Sequence, residues 1–269
     1  MFTRTVRLAL TVLVSAGLTA GATGSQLAAQ ANPPAGPPYV YQTELMTVWV
    51  VPMNNAARIT LTTNGYLFRA GMQNSRLRIT PVPGGLRFHD RGTLKWAKLA
   101  PTCTPRKVRY GVAAFCKFPR RVSVAKPLLL EVWPRLGDDY IDGSALPATV
   151  AMTVLGDLGN DTVRTGAGPD FVNGAGGLDR VWGGGGNDWI RTGLGNDVIY
   201  GEAGDDWLVG VDGNDRVYGG PGNDRVGGSN GNDILQGDAG RDYVLCGDGV
   251  DTATVDAEDE IRDCENVLR

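Results

Sequence analysis

Histidine is almost absent from this 269-residue chain: His89 stands alone. A His-Glu-x-x-His metal helix is therefore excluded within it, and any Ser-His-acid triad would have to recruit His89. The four cysteines, Cys103, Cys116, Cys246 and Cys264, include no Cys-x-x-Cys pair, which argues against a zinc cluster. No run of 18 or more apolar residues occurs beyond residue 31, so no later membrane-spanning helix is expected. Zinc-finger and aromatic nucleic-acid signatures are missing too, and nucleic acid is not an expected partner.

Positive charge is scarce in the second half. Residues 136–269 carry 8 Arg against 26 Asp and Glu, a net −18. Residues 32–135 show the reverse, 16 Lys and Arg against 3 acidic residues, a net +13, so the whole-chain −3 conceals a strongly dipolar molecule. Self-repulsion on the scale of the acidic half opposes compaction.

That acidic half is periodic. Asp161, Asp170, Asp179, Asp188, Asp197, Asp206, Asp215, Asp224, Asp233, Asp242 and Asp251 stand nine residues apart without a slip. Each has a glycine two residues earlier, and a small or branched apolar residue two later: Val163, Val172, Val181, Ile190, Ile199, Leu208, Val217, Val226, Leu235, Val244 and Ala253. In a repeat such as Gly201 to Val209, the glycine-rich first six residues can turn tightly, and the last three can form only a short strand. Side chains alternate along a strand, so Leu208 points inward and its neighbours outward. One apolar side chain per nonapeptide is buried only if neighbouring repeats stack on it.

Two repeats, eighteen residues, then make one turn of a flattened solenoid, with aspartate loops stacked along both edges. Carboxylates such as Asp170, Asp188 and Asp206 would recur at roughly 4.8 Å, which requires cations between them. Carboxylates joined by backbone carbonyls at glycine turns suit Ca²⁺, which accepts six to eight hard oxygens in flexible geometry; Mg²⁺ demands a stricter octahedron and Zn²⁺ prefers Cys or His.

Segments such as Gly219-Gly220-Pro221-Gly222-Asn223-Asp224-Arg225-Val226-Gly227 resemble the repeats-in-toxin (RTX), or haemolysin-type, calcium-binding nonapeptide. The resemblance spans residues 156 to about 254 and extends more weakly to Leu136-Gly137-Asp138-Asp139-Tyr140-Ile141, a displaced copy. It implies a parallel β-roll with Ca²⁺ between stacked loops, held by the eleven frame aspartates. Thr165 and Thr192 replace the first glycine, Pro169, Leu178 and Val250 replace the polar residue before the aspartate, and Cys246 opens the last repeat. Weaker or empty sites are expected around Asp170, Asp179 and Asp251. At millimolar Ca²⁺ one such site adds on the order of 0.5–1.5 kcal/mol by mass action, so several together rival a domain's whole stability. The roll is expected to be disordered without calcium.

Met1 to Ala31 reads as a secretory signal peptide: Arg4 and Arg7, an apolar run from Leu8 to about Ala22, then cleavage options after Ala22 or Ala31. An uncleaved N-terminal anchor is the competing reading. Export favours disulfides among the four cysteines, and of three pairings the local one, Cys103 with Cys116 and Cys246 with Cys264, brackets two short loops. The second bridge would clasp the last repeat to a capping tail, residues 256–269.

Residues 32–135 open on a Pro-rich linker, Asn32 to Pro38, and continue with alternating stretches at 58–62, 76–80, 86–89 and 121–124, separated by Asn64-Gly65 and Pro83-Gly84-Gly85. They read as a small antiparallel β domain ahead of the roll, which occupies 136–255. Its basic residues, Arg76, Arg78, Arg87, Lys95, Lys98, Lys107, Arg109, Arg120 and Arg121, are expected on outward faces. They form either a solvated surface or an attractor for anionic envelope polymers, lipid headgroups or another molecule's acidic roll. Phe171, Trp189, Trp207 and Tyr243 fall in one column eighteen residues apart, interrupted by Arg225, and Trp182, Tyr200 and Tyr218 in another. Such columns serve as sheet-stabilising ladders or as sugar-stacking stripes. Gly227-Gly228-Ser229-Asn230-Gly231 fits the lipase pattern Gly-x-Ser-x-Gly, but its glycines largely follow the nonapeptide frame.

The sequence therefore describes an all-β, secreted, non-catalytic Ca²⁺-binding protein with a structural or adhesive role at the cell surface. A polysaccharide-binding module, or a hydrolase with its site in the N-terminal region, are the alternatives.

Overall fold

The computed structural model describes residues 56–70, 74–119 and 121–269. The signal peptide and the Pro-rich linker expected from the sequence lie outside the described residues, as does Arg120. The described residues are all β, with no helix, and form two sheets of 11 and 12 strands.

From residue 150 onward successive strands alternate between the sheets, and each pairs in parallel with the next but one. Trp189–Leu194 pairs with Trp207–Asp212 through Trp189↔Trp207 and Ile190↔Leu208, while Val198–Ala203 pairs with Arg216–Pro221 in the other sheet. The register is eighteen residues, as the aspartate frame requires. The strands are longer than the expected triplet. Pairing pauses for one residue and resumes in the loop, as in Arg191↔Val209 followed by Gly193↔Val211.

The paused corner explains much of the composition. Chain direction changes at the second loop position, where φ is positive even without glycine: Ala175 77°, Glu202 68°, Val211 103°, Ser229 83° and Asp238 71°. An L-residue there costs roughly 1–2 kcal/mol, so stacking must offset the strain. The fourth position is stricter. Gly204 has φ +142°, and a Cβ there would lie 1.8 Å from the Gly186 carbonyl oxygen of the preceding turn. Only glycine lets consecutive loops approach that closely.

The core is continuous from Ala57 to Val255. In the roll it narrows to the expected column, Val163 through Ala253, each side chain at most 2% exposed. Toward the N-terminus it widens around Tyr66, Phe68 and Phe88, with Phe68 and Phe88 stacked at 6.3 Å. Antiparallel pairing is present there, in Ala56–Leu61 with Gly65–Arg69, and in Arg76–Val82 with Gly85–Asp90 and its neighbour Val112–Lys117.

Parallel joins carry both sheets into the roll. Gly65–Arg69 pairs with Leu128–Trp133, and Arg76–Val82 with Tyr140–Asp142. The expected strand at Arg121-Val122-Ser123-Val124 is instead a turn closed by reciprocal Ser123 and Lys126 backbone hydrogen bonds, because Pro127 follows and no sheet edge receives the alternating side chains. Of the basic residues expected outside, Arg76, Arg78, Arg87, Lys95, Lys98, Lys107, Arg109 and Arg121 are all exposed.

Both local disulfides form, Cys103–Cys116 across a strand pair and Cys246–Cys264 from the last full repeat to the tail. The tail does more than cover the end. Glu260–Arg262 and Asn266–Leu268 each add a parallel strand to one sheet, at registers of 17 and 14 residues rather than 18.

A one-residue-wide core leaves no room for relaxation around a deletion. Leu208→Ala is expected to cost about 3 kcal/mol in calcium-saturated protein, read from urea denaturation. A loss below about 1 kcal/mol would mean that the inward column does not carry the roll.

Candidate metal sites

Each frame aspartate ends a six-residue loop and immediately precedes a strand, a position that turns its carboxyl inward beneath the loop. All eleven, Asp161 through Asp251, are at most 3% exposed. One oxygen of each is bound by backbone. Asp188, Asp206 and Asp224 donate their N–H groups to Oδ1 of Asp206, Asp224 and Asp242 in turn, each at 2.8 Å. The other edge repeats this through Asp161, Asp179, Asp197, Asp215, Asp233 and Asp251 at 2.7–2.8 Å.

The second oxygen is the chemically informative one. In Asp161, Asp179, Asp188, Asp197, Asp206, Asp215, Asp224, Asp233, Asp242 and Asp251, Oδ2 is buried with no hydrogen-bond partner. In eight of the ten it faces the first glycine of its own loop; Thr192 and Cys246 stand at that position for Asp197 and Asp251. A Cβ on Gly201 would lie 2.5 Å from Asp206 Oδ2 and 2.5 Å from the Gly219 carbonyl oxygen of the next turn. At Gly219 the same two distances, to Asp224 Oδ2 and the Gly237 oxygen, recur. The missing side chain thus leaves a cradle walled by a carboxylate oxygen and a carbonyl oxygen from consecutive turns.

Asp170 is the exception. Its Oδ2 accepts the Gly166 N–H at 3.0 Å, and Thr165 places a hydroxyl in the cradle, donating to the Gly183 carbonyl oxygen at 2.5 Å. Thr192 likewise donates to the Gly210 carbonyl at 3.2 Å, beside the Asp197 repeat. Asp179 and Asp251 keep the same orphaned oxygen as the regular repeats.

A buried, unpartnered carboxylate oxygen is costly unless it is protonated or faces a cation. Among the described residues no three His, Cys, Asp or Glu side chains converge on one point, so further ligands would come from carbonyls. That donor set, hard oxygens from one or two carboxylates plus backbone, fits Ca²⁺.

Family models match this region in four overlapping copies, at residues 155–190, 182–217, 191–226 and 218–253, under the description RTX calcium-binding nonapeptide repeat. Residues 155–253 are RTX repeats. No curated protein matches the chain. The cofactor of these RTX repeats is Ca²⁺.

The acidic ladders of the RTX roll extend beyond the eleven frame residues. Asp139 donates its N–H to Asp161 Oδ1 at 2.9 Å, and Met152 occupies the aspartate position before Asp170. At the other end Asp259 and Glu265 accept from the N–H groups of Asp242 and Asp251. Asp139 lies in the displaced copy visible in the sequence, but Asp259 and Glu265 stand off the nine-residue frame and only their acidity hinted at them.

The aromatic columns stack as the eighteen-residue register requires. Trp189 and Trp207 lie parallel at 5.2 Å with Phe171 edge-on to Trp189, and Trp182, Tyr200 and Tyr218 stack at 5.5 and 5.0 Å, with Arg164 over Trp182. Ser229 occupies the same second loop position as Glu202 and Val211, with the same positive φ. His89 and Asp90 do not pair, since adjacent strand residues face opposite ways: Asp90 accepts from the Arg76 and Gly92 N–H groups and the Thr93 hydroxyl.

Burial, reinforced by neighbouring carboxylates, pushes Asp224 up to about 8, Asp161, Asp179 and Asp215 to about 7, and Asp206, Asp233 and Asp242 to about 6. Asp170 rises to about 7 through burial, and Asp188, Asp197 and Asp251 rise in the same direction. Folded pKa values lie above unfolded ones, so this contribution to metal-free stability is full below about pH 4 and is lost as pH climbs through 6 to 8. Metal-stripped protein should therefore be most structured in mild acid. Calcium binding at pH 7 should release protons, measured by calorimetry in buffers of differing ionisation enthalpy; binding without proton release would contradict the assignment.

Proposed function

We propose that this is an exported, non-catalytic calcium-binding protein whose RTX roll orders on Ca²⁺ outside the cell, where it serves as a structural or adhesive element. The orphaned Oδ2 column carries this reading: ten buried oxygens in register can be ionised together only against interleaved cations. In that arrangement the frame aspartates and the first-glycine carbonyls would hold the ion, whose charge keeps the carboxylates ionised. Export is supported by the signal-like start and by two disulfides, which persist in oxidising compartments.

Several features favour a structural role over catalysis. Carboxylates committed to a cation are poor acids and bases, Ser229 follows the repeat, and His89 bonds the Tyr110 carbonyl. The aromatic rings turn their faces to one another, as a sheet-stabilising ladder does, and leave mainly edges for a sugar. The exposed basic residues of the N-terminal region suit anionic envelope polymers, attracted electrostatically.

Limited proteolysis of the mature chain tests the reading. With Ca²⁺ residues 156–254 should resist cleavage, and with EGTA, or with Mg²⁺ alone, they should be cut throughout. In cells the protein should appear in the medium or at the surface with its thiols blocked to alkylation. Reduced cysteines in a cytoplasmic pool would overturn export, and calcium-indifferent cleavage would overturn ordering by the metal.

A further inference from the structure

We propose that the cleft where the strand Arg76–Val82 meets the strand Tyr140–Asp142 binds an acidic sugar, its carboxylate or phosphate held by Arg76 and Arg91 and its hydroxyls by Asp138 and Asn160. The inference rests on the reading that the basic N-terminal region engages anionic envelope polymers, and it gives that contact a place and a ligand chemistry.

Four neighbouring strands build one wall of the cleft. Arg76–Val82 pairs antiparallel with Gly85–Asp90, setting Arg78 opposite His89, and the Arg91 N–H donates to the Arg76 carbonyl at 3.2 Å, which sets Arg91 opposite Arg76. On its other side Arg76 is level with Tyr140, and Tyr140 with Thr162 of the next strand. Residues two apart along a strand share a face, so these six side chains meet on the outer face of one sheet. Asp138 and Asn160 close the far side, joined by the Asn160 N–H bond to Asp138 Oδ1 at 2.8 Å, and the space enclosed is about 580 Å³. That lies within the roughly 300–1,000 Å³ of small-ligand sites.

The charges on the wall show what is missing. Like charges set opposite each other across an antiparallel pair destabilise it. Arg76 and Arg91 are such a pair, both exposed, and neither is ion-paired among the described residues; of the cleft's arginines Arg78 alone has a carboxylate, Asp142 at 2.8 Å. Asp90 does not serve them, because it is fully buried and its carboxylate is taken by the Arg76 and Gly92 N–H groups and the Thr93 hydroxyl. Asp139 also lines the cleft, but it is 2% exposed and its Oδ1 accepts the Ser75 N–H. An oxyanion from outside, received by two guanidinium forks, removes the repulsion.

The far wall selects among anions. The exposed Asp138 carboxylate repels a bare anion that fills the cleft, yet accepts hydrogen bonds from hydroxyls. Asn160 commits its side-chain oxygen to the Leu178 N–H at 2.8 Å, which leaves its NH₂ group to donate. Tyr140, level with Arg76 and 37% exposed, adds an aromatic ring with a hydroxyl. A ligand acidic at one end and hydroxylated along its body meets these demands together, and an acidic sugar has that form.

NMR titration of the full mature chain in saturating Ca²⁺ tests the site, with glucuronate and glucose 6-phosphate as probes and glucose and sulfate as controls. At least one acidic sugar should bind about tenfold more tightly than either control, and the tighter of the two tells carboxylate from phosphate. Arg76→Ala combined with Arg91→Ala should weaken that binding about tenfold. Acidic sugars that bind no more tightly than sulfate or glucose overturn the site, as does undiminished binding in the double variant. Should the double variant gain no β signal with calcium, Arg91→Gln is read in its place; several-fold weaker binding is then required, and unchanged binding overturns the site. Retention of the wild-type chain on carboxymethyl-dextran beads reads the parent proposal separately. A chain that is not retained overturns that proposal, and a chain retained without a cleft signal overturns this one alone.

Discussion

A carboxylate oxygen, buried and without a hydrogen-bond partner, is the element on which the rest of this structure depends. It recurs in ten of the eleven frame aspartates. Taken singly, each would shift toward its neutral form, and burial already raises the carboxyls of the frame aspartates. Taken as a column they create a demand for positive charge that no side chain meets, since the roll's arginines lie outside and its loops offer carbonyls. The first glycine of a regular loop leaves room beside Oδ2 while the second and fourth positions turn the chain, so site chemistry and turn chemistry share one short loop.

The dependence runs through the packing. A single inward side chain per repeat gives a core one residue wide, and the second loop position holds non-glycine residues at positive φ. Such a stack has little apolar burial to set against self-repulsion of its acidic half and strain at its corners. The N-terminal region is different in kind. It has a wider aromatic core, a basic surface and one disulfide, and its strands continue both sheets of the roll, giving the first turns a template to stack on.

Much of this was legible in the sequence because a solenoid has few degrees of freedom. Asp161 to Asp251 fixed the eighteen-residue register, the inward column from Val163 to Ala253 and the stacking of Trp189 on Trp207. Local cysteine spacing suggested both bridges. What escaped had left the period. Asp139 is separated from Asp161 by 22 residues, and Pro134 and Arg135 stand where glycines would. Asp259 and Glu265 join the ladders at shortened registers, 17 and 14 residues after Asp242 and Asp251. The parallel joins between Gly65–Arg69 and Leu128–Trp133 link segments more than sixty residues apart, and no local pattern encodes such a pairing. The alternation at 121–124 looked like a strand because alternation ignores whether a sheet edge is there to receive it.

The most direct test of the account is far-UV circular dichroism of the mature protein, stripped with EGTA and titrated with calcium, with magnesium as the control. A cooperative gain of β signal with calcium alone is the predicted result. A spectrum already folded after stripping at pH 7, and indifferent to calcium, would show that the buried oxygens are accommodated without a cation and would contradict the central claim.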